Sequence, residues 1–362
     1  LKILPFATDG AASPVDRLTH LDALRGIAAM FVVVAHFIER TPLRDSFFFA
    51  HVNLGQVGVV IFFVISGMVI PYSLKQGRHA LAVFAVSRFF RLYPAYWFSI
   101  ALAVASSDWF LSTPVPLSTV LINMTMLQAA VQTPDLFGVY WTLIIEMFFY
   151  VACAALFSVG LLGKAWVRLS AAIGLLAVAL IFAITRFYLA KKIPVALPLC
   201  LSIMFFGSLW RDVSLGLAHG QAHRYVAVWL ALFACLLPII CLLAYSADQG
   251  YKENPLVYMT SYLIGMAIAL VVTLFLRKSI NSLTFLGTIS YSMYLIHPFF
   301  LEWAAYATDL QAQFEVVVFL SYLLATLVMA SVVYALLEKP GIGLAKAINS
   351  KLQRGASKRA QA

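Results

Sequence analysis

Arg25 and His36 stand eleven residues apart on the run from Leu21 to Phe37, which is otherwise apolar enough to lie in a bilayer. An ionisable side chain inside a membrane span costs on the order of 2.5 to 3.5 kcal/mol on insertion scales, so such groups face a partner, a water-filled cavity or a substrate path. Eleven helical steps rise roughly 16 Å and bring the two residues round to nearly the same face. The pair therefore marks a helix face lining a path between the two sides of the membrane, with Arg25 able to meet an anion and His36 able to take a proton. The structural alternative is an arginine that snorkels to the headgroups and a histidine satisfied within the bundle.

Other segments carry related chemistry. Arg88 and Arg91 are three apart, hence neighbours on a helix surface, where two guanidinium groups could grip one phosphorylated ligand. They read equally as a cytoplasmic anchor beside an aromatic belt of Tyr93, Tyr96 and Trp97. Glu146 is expected about two turns into a helix that descends from the outer face, at a depth similar to that of His36, where a carboxylate orients an imidazole or contacts a sugar hydroxyl; otherwise it is a protonated or arginine-paired structural group. His297 precedes Pro298, which withdraws a backbone donor and kinks a helix, as expected where irregular backbone borders a cavity, although an interior histidine satisfied by its neighbours fits the same position. Ser66 and Gly67 suit close helix packing, and Ser66 has no base nearby in sequence to make it a nucleophile.

The elements that must position these groups are membrane helices. The 362 residues are 63% hydrophobic and 11% charged, far above the roughly 45 to 50% apolar share of soluble domains. A bilayer core needs about 20 helical residues. Ten candidate spans follow, at about 21–39, 57–74, 90–107, 139–161, 168–189, 195–210, 225–246, 256–276, 283–304 and 316–337. The segment 117–131 is shorter and carries Asn123, Thr125 and Gln128, so it reads as interfacial or re-entrant. Expected domains are a cytoplasmic segment 1–20, a membrane domain 21–340 and a basic cytoplasmic tail 341–362. The loop with Lys75, Arg78, Arg88 and Arg91 and the tail with Lys339, Lys346, Lys351, Arg354, Lys358 and Arg359 mark the cytoplasmic side; Arg40, Arg44, Lys191 and Lys192 fall outside against the rule. That alternation puts both termini inside and closes only if 117–131 does not cross.

The net charge of +10 is spread over short loops and the tail, which argues for orientation signals and phosphate contacts and against nucleic acid. Cys153, Cys200, Cys235 and Cys241 lie in apolar runs without metal or disulfide spacing, so no metal is expected. The first twenty residues lack an apolar core with a cleavage site, so the first span is expected to target the chain itself.

In chain order, these segments resemble the membrane acyltransferase 3 family. The resemblance is carried by Arg25 and His36 with ten residues between them, Phe-Phe-Val-Ile-Ser-Gly at 62–67, Arg-x-x-Arg at 88–91, Trp-Thr-Leu-x-x-Glu at 141–146 and Tyr-Ser-x-Tyr-Leu-Ile-His-Pro at 291–298. It covers about residues 18–340. Val60 and Met68 depart from the acidic and aromatic residues that many relatives carry there.

The resemblance implies transfer of an acyl group, commonly acetyl, from cytoplasmic acyl-coenzyme A to a hydroxyl of an extracytoplasmic glycan or glycolipid, by an integral protein of a bacterial inner membrane. Residue roles under this implication are His36, Arg25 and Glu146 in catalysis, Arg88, Arg91 and Arg25 on the donor, and Trp141, Glu146, Tyr291 and His297 on the acceptor. Some relatives add an extracytoplasmic domain, and without one, transfer is expected to finish within the membrane domain or on a separate protein. A transporter or flippase for an anionic or glycan-linked lipid is the competing class, in which Arg25 and His36 are stations on a transport path.

Overall fold

The computed structural model describes residues 19–217, 221–246, 254–275 and 281–361, with side chains to 354. The segment 1–18, where the cytoplasmic amino terminus was expected, lies outside the described residues. All regular structure among the described residues is helical. The helices are α1 Thr19–Ile38, α2 Leu54–Val69, α3 Ala80–Ser106, α4 Leu117–Asn123, α5 Trp141–Ser158, α6 Ala165–Leu189, α7 Ala196–Ser214, α8 Ala222–Tyr245, α9 Pro255–Phe275, α10 Asn281–Ala307, α11 Val316–Val333 and α12 Lys339–Gln361.

Eight stretches among the described residues are long and apolar enough to cross a membrane, namely those of α1, α2, α5 to α9, and α11 with α12. Of the ten spans expected, α3 and α10 are not among these, although each has 27 residues. For α10 the polar content has a structural reason: Ile289 through Pro298 are all buried, so this stretch meets protein on every side and carries side chains that a lipid-facing helix could not.

Helix directions follow from paired contacts. Gly26 packs on Gly287, His36 on His297 and Arg40 on Glu302, a nearly constant offset that makes α1 and α10 parallel neighbours. A Cβ on Gly287 would lie 1.8 Å from the Asp22 carbonyl, so only glycine permits this approach. Gly58 against Ala28 and Gly55 against Ala35 set α2 antiparallel to α1. Arg25 thereby falls towards one end of the bundle and His36 towards the other.

The segment between α3 and α5 does not cross as a helix. At seven residues, α4 is only about 10 Å long. Beyond it the chain lies back along α3: Tyr96 and Tyr93 hydroxyls and the Trp97 indole N–H donate to the carbonyls of Asn123, Thr125 and Met124 at 2.8, 3.0 and 3.1 Å. The aromatic trio expected as a lipid belt thus satisfies re-entrant backbone that hydrocarbon could not. Buried Asn123 completes the tie, donating to the carbonyls of Thr119 and Pro134 and accepting from the Leu136 N–H. Burial raises the nearby Asp135 carboxyl above its usual range, against the opposing bond from Gln128 at 2.7 Å. As a result α5 begins partway along α3, where Tyr140 lies 2.7 Å from Ser99 Oγ.

Candidate active site

A cavity with ≈ 520 Å³ of atom-free space opens among α1, α2, α5 and α10. Arg25, Ser66, Thr142, Glu146, Ser290, Tyr291 and Tyr294 supply its polar lining, and Val59, Phe62, Phe63 and Leu143 its apolar walls. That mixture of apolar walls and few convergent polar groups is typical of a ligand site. Ser66, expected to serve packing, faces this space, while its neighbour Gly67 makes the close approach to Met204 and Gly207.

Tyr294 joins the cavity to the histidines. Its hydroxyl donates to the Val139 carbonyl at 2.8 Å and lies 2.7 Å from Thr142 Oγ1. Its ring is 6.0 Å from that of His297, which in turn stacks on His36 with centroids 5.4 Å apart and planes 11° from parallel. Nδ1 of His36 is 2.9 Å from Glu39 Oε2; in the neutral-ring tautomer that donates from Nδ1 to this carboxylate, Nε2 is the acceptor. Asn53 holds the other oxygen of Glu39 at 2.9 Å. His297 repeats the arrangement: Nδ1 meets the Met293 carbonyl at 3.3 Å, and Nε2 is buried without a protein partner.

Glu146 is not level with His36. Thr142 is level with Tyr294; Glu146 lies four residues from it towards the Arg25 end, and His297 three residues beyond Tyr294 in the opposite sense, so roughly 10 Å separates them along the bundle. The displacement follows from the late start of α5. Glu146 instead accepts from the Tyr150 hydroxyl at 2.6 Å and shares its surroundings with Arg25. The carboxylate beside His36 is Glu39, three residues on and one past the end of α1.

Arg88 and Arg91 face different partners. Arg88 donates to Ser73 Oγ at 2.7 Å and lies over the rings of Phe84 and Tyr150. Arg91 lies within electrostatic reach of Glu338, Tyr150, Glu146 and Tyr291. Glu338 was not anticipated from sequence; it is 1% exposed, ends the π-helical turn Tyr334–Glu338 and accepts from Ser292 at 3.0 Å. Tyr291 lines the cavity and donates to the Leu92 carbonyl at 3.0 Å, whereas Trp141 packs half-buried against the core.

Long apolar helices bundled around a polar cavity define a polytopic helical membrane protein. The family model described as an acyltransferase domain, acyltransferase 3, matches residues 18–336, and the chain belongs to that family. The chain is also similar to "Protein 2 in picA locus" of Rhizobium radiobacter, 34% identical over 97 residues, which are 26% of this chain and 47% of that protein. The chain thus spans about half the length of this curated relative. No solved structure matches it.

Proposed function

We propose that the chain transfers an acyl group, acetyl in the simplest case, from acyl-coenzyme A at the Arg25 end to a hydroxyl of an extracytoplasmic glycan or glycolipid at the His36 end. The observation that carries this is the Glu39-held imidazole of His36, joined through His297 and Tyr294 to the cavity that contains Arg25. His36 Nε2 takes the acceptor proton as the hydroxyl oxygen attacks the thioester carbonyl; the C–S bond breaks, and the proton passes to the departing thiolate. Glu39 fixes the tautomer and stabilises the imidazolium that forms.

Arg25 lies eleven residues from His36, so its part is to hold the donor in the cavity. The acyl carbonyl must then advance past Tyr294 to reach the attacking hydroxyl. Glu146 keeps company with Arg25 and acts on the donor side, while His297 Nε2 accepts a hydrogen bond from the acceptor.

The test uses purified protein with radiolabelled acetyl-coenzyme A and a panel of cell-surface glycans. Acceptor-dependent release of free thiol, abolished in His36→Ala, is expected. Movement of a glycan-linked lipid without thiol release would overturn the reading in favour of transport.

A further inference from the structure

Tyr294 stands between the cavity and the two histidines. It lines the cavity, whereas His297, three residues further along α10, and its stacking partner His36 do not. The Tyr294 ring is 6.0 Å from that of His297 and 6.2 Å from that of Phe62 on α2, the latter edge to face at 71°. Its hydroxyl reaches a third element. It donates at 2.8 Å to the carbonyl of Val139, in the 3-10 turn Gly138–Tyr140 that precedes α5, and lies 2.7 Å from Thr142 Oγ1.

Side-chain direction explains why these groups meet. Cβ atoms tilt towards the amino terminus of a helix, so Tyr294 on α10 leans towards the Arg25 end and Phe62 on antiparallel α2 leans towards the His36 end. The two rings close on each other from opposite sides, and the bonds to Val139 and Thr142 fix the tyrosine in that position.

The lining of the cavity changes character towards this point. Along α2, Ser66 lies nearest the Arg25 end and Val59 nearest the His36 end, with Phe62 and Phe63 between them. Along α5, Glu146 gives way to Leu143 and then Thr142. Arg25, Ser66 and Glu146 thus make one part of the cavity polar, while Val59, Phe62 and Leu143 make the part beside Tyr294 apolar. The polar part suits a thioester and the amides of its carrier, and the apolar part suits a small hydrocarbon group.

We propose that Tyr294 and Phe62 form a partition that selects the acyl group by size: acetyl passes when the Tyr294 hydroxyl leaves Val139 and Thr142, and longer chains are held back. This rests on the acyl-coenzyme A reading above and adds to it the donor class, short-chain acyl thioesters. While closed, the partition also keeps water at the His36 end away from the thioester. Hydrolysis would add the water oxygen to the carbonyl, break the C–S bond and pass a proton to the thiolate, giving acetate and free thiol.

The experiment follows thiol release by the full chain from acetyl- and butyryl-coenzyme A, with and without a panel of cell-surface glycans. In the parent, kcat/KM should favour acetyl roughly ten- to hundredfold, the discrimination that added methylenes meet in a fitted pocket. Tyr294→Ala and Phe62→Ala open the partition from its two sides and should each bring the donors to within about threefold of one another. Phe62→Ala leaves the bonds between α10 and the start of α5 in place, so it separates loss of selection from loss of fold. Tyr294→Phe keeps the ring and loses both bonds; it should retain the preference and raise thiol release without acceptor. A preference unchanged in both alanine variants would overturn the proposal, as would equal kcat/KM for the two donors in the parent. Acceptor-free release equal in Tyr294→Phe and the parent would overturn the seal against water. Consumption of neither donor by the parent or by Tyr294→Phe would instead overturn acyl transfer itself, and the partition with it.

Discussion

An imidazole takes a proton through whichever nitrogen its neighbours leave bare, and Glu39 leaves Nε2 bare on His36. Glu39→Gln can hold the ring in the opposite tautomer, so kcat should fall by about 10²-fold with the donor KM unchanged, as read from steady-state kinetics. Unchanged kcat would remove Glu39 from the mechanism. Arg25 and His36 were legible in the sequence because an ionisable group stands out in an apolar run. Glu39 was not, since it ends that run among polar residues and looks like interface. Glu338 was hidden for a related reason: Lys339 and Pro340 follow it and suggest a solvated tail, while the π-helical turn that directs its carboxylate inward leaves no mark in composition.

Among the elements, the α1–α10 contact sets the register of the two histidines. Gly287→Ala would drive a Cβ into the Asp22 carbonyl and should cost about 1–3 kcal/mol or more, lowering the thermal midpoint in detergent and separating the His36–His297 stack. Gly174→Ala, whose Cβ meets open space within α6, should leave the midpoint unchanged or raise it. The re-entrant segment offers a pH-dependent test. A carboxyl whose folded-state pKa is raised contributes stability when protonated and loses it as pH rises, so Asp135→Asn should melt above the parent at neutral pH and converge with it on acidification. A midpoint difference independent of pH would contradict that cause. Helix positions were readable from apolar run lengths, and the short length and the polar Asn123, Thr125 and Gln128 of 117–131 already marked it as unlike a full span. The depth of Glu146 was not readable, because it depends on how far the chain re-enters before α5, and that distance is set by tertiary bonds from Tyr93, Tyr96 and Trp97.

For the whole molecule, the charges divide by end. Arg25, Arg88, Arg168 and Arg211 gather where α2 ends, and α12 continues basic beside α3, where Asn349 donates to Ser87 Oγ at 2.9 Å. At the opposite end Phe47 is 84% exposed near His51. In a Cys235→Ser background, which removes the exposed thiol, Lys351→Cys should react with a membrane-impermeant reagent from the cytoplasmic side and Phe48→Cys from the other. Labelling of both from one side would contradict the assigned orientation. The central claim is that an acyl group leaves a thioester at one end and reaches a hydroxyl at the other. It is tested most directly in sealed vesicles of uniform orientation, with radiolabelled acetyl-coenzyme A supplied only on the side of α12 and glycan acceptor only on the far side. The account predicts label on the far-side glycan with an equal amount of free coenzyme A on the near side, and neither in His36→Ala. Label that reaches the glycan only when both substrates share one side, or that crosses as intact thioester, would contradict it.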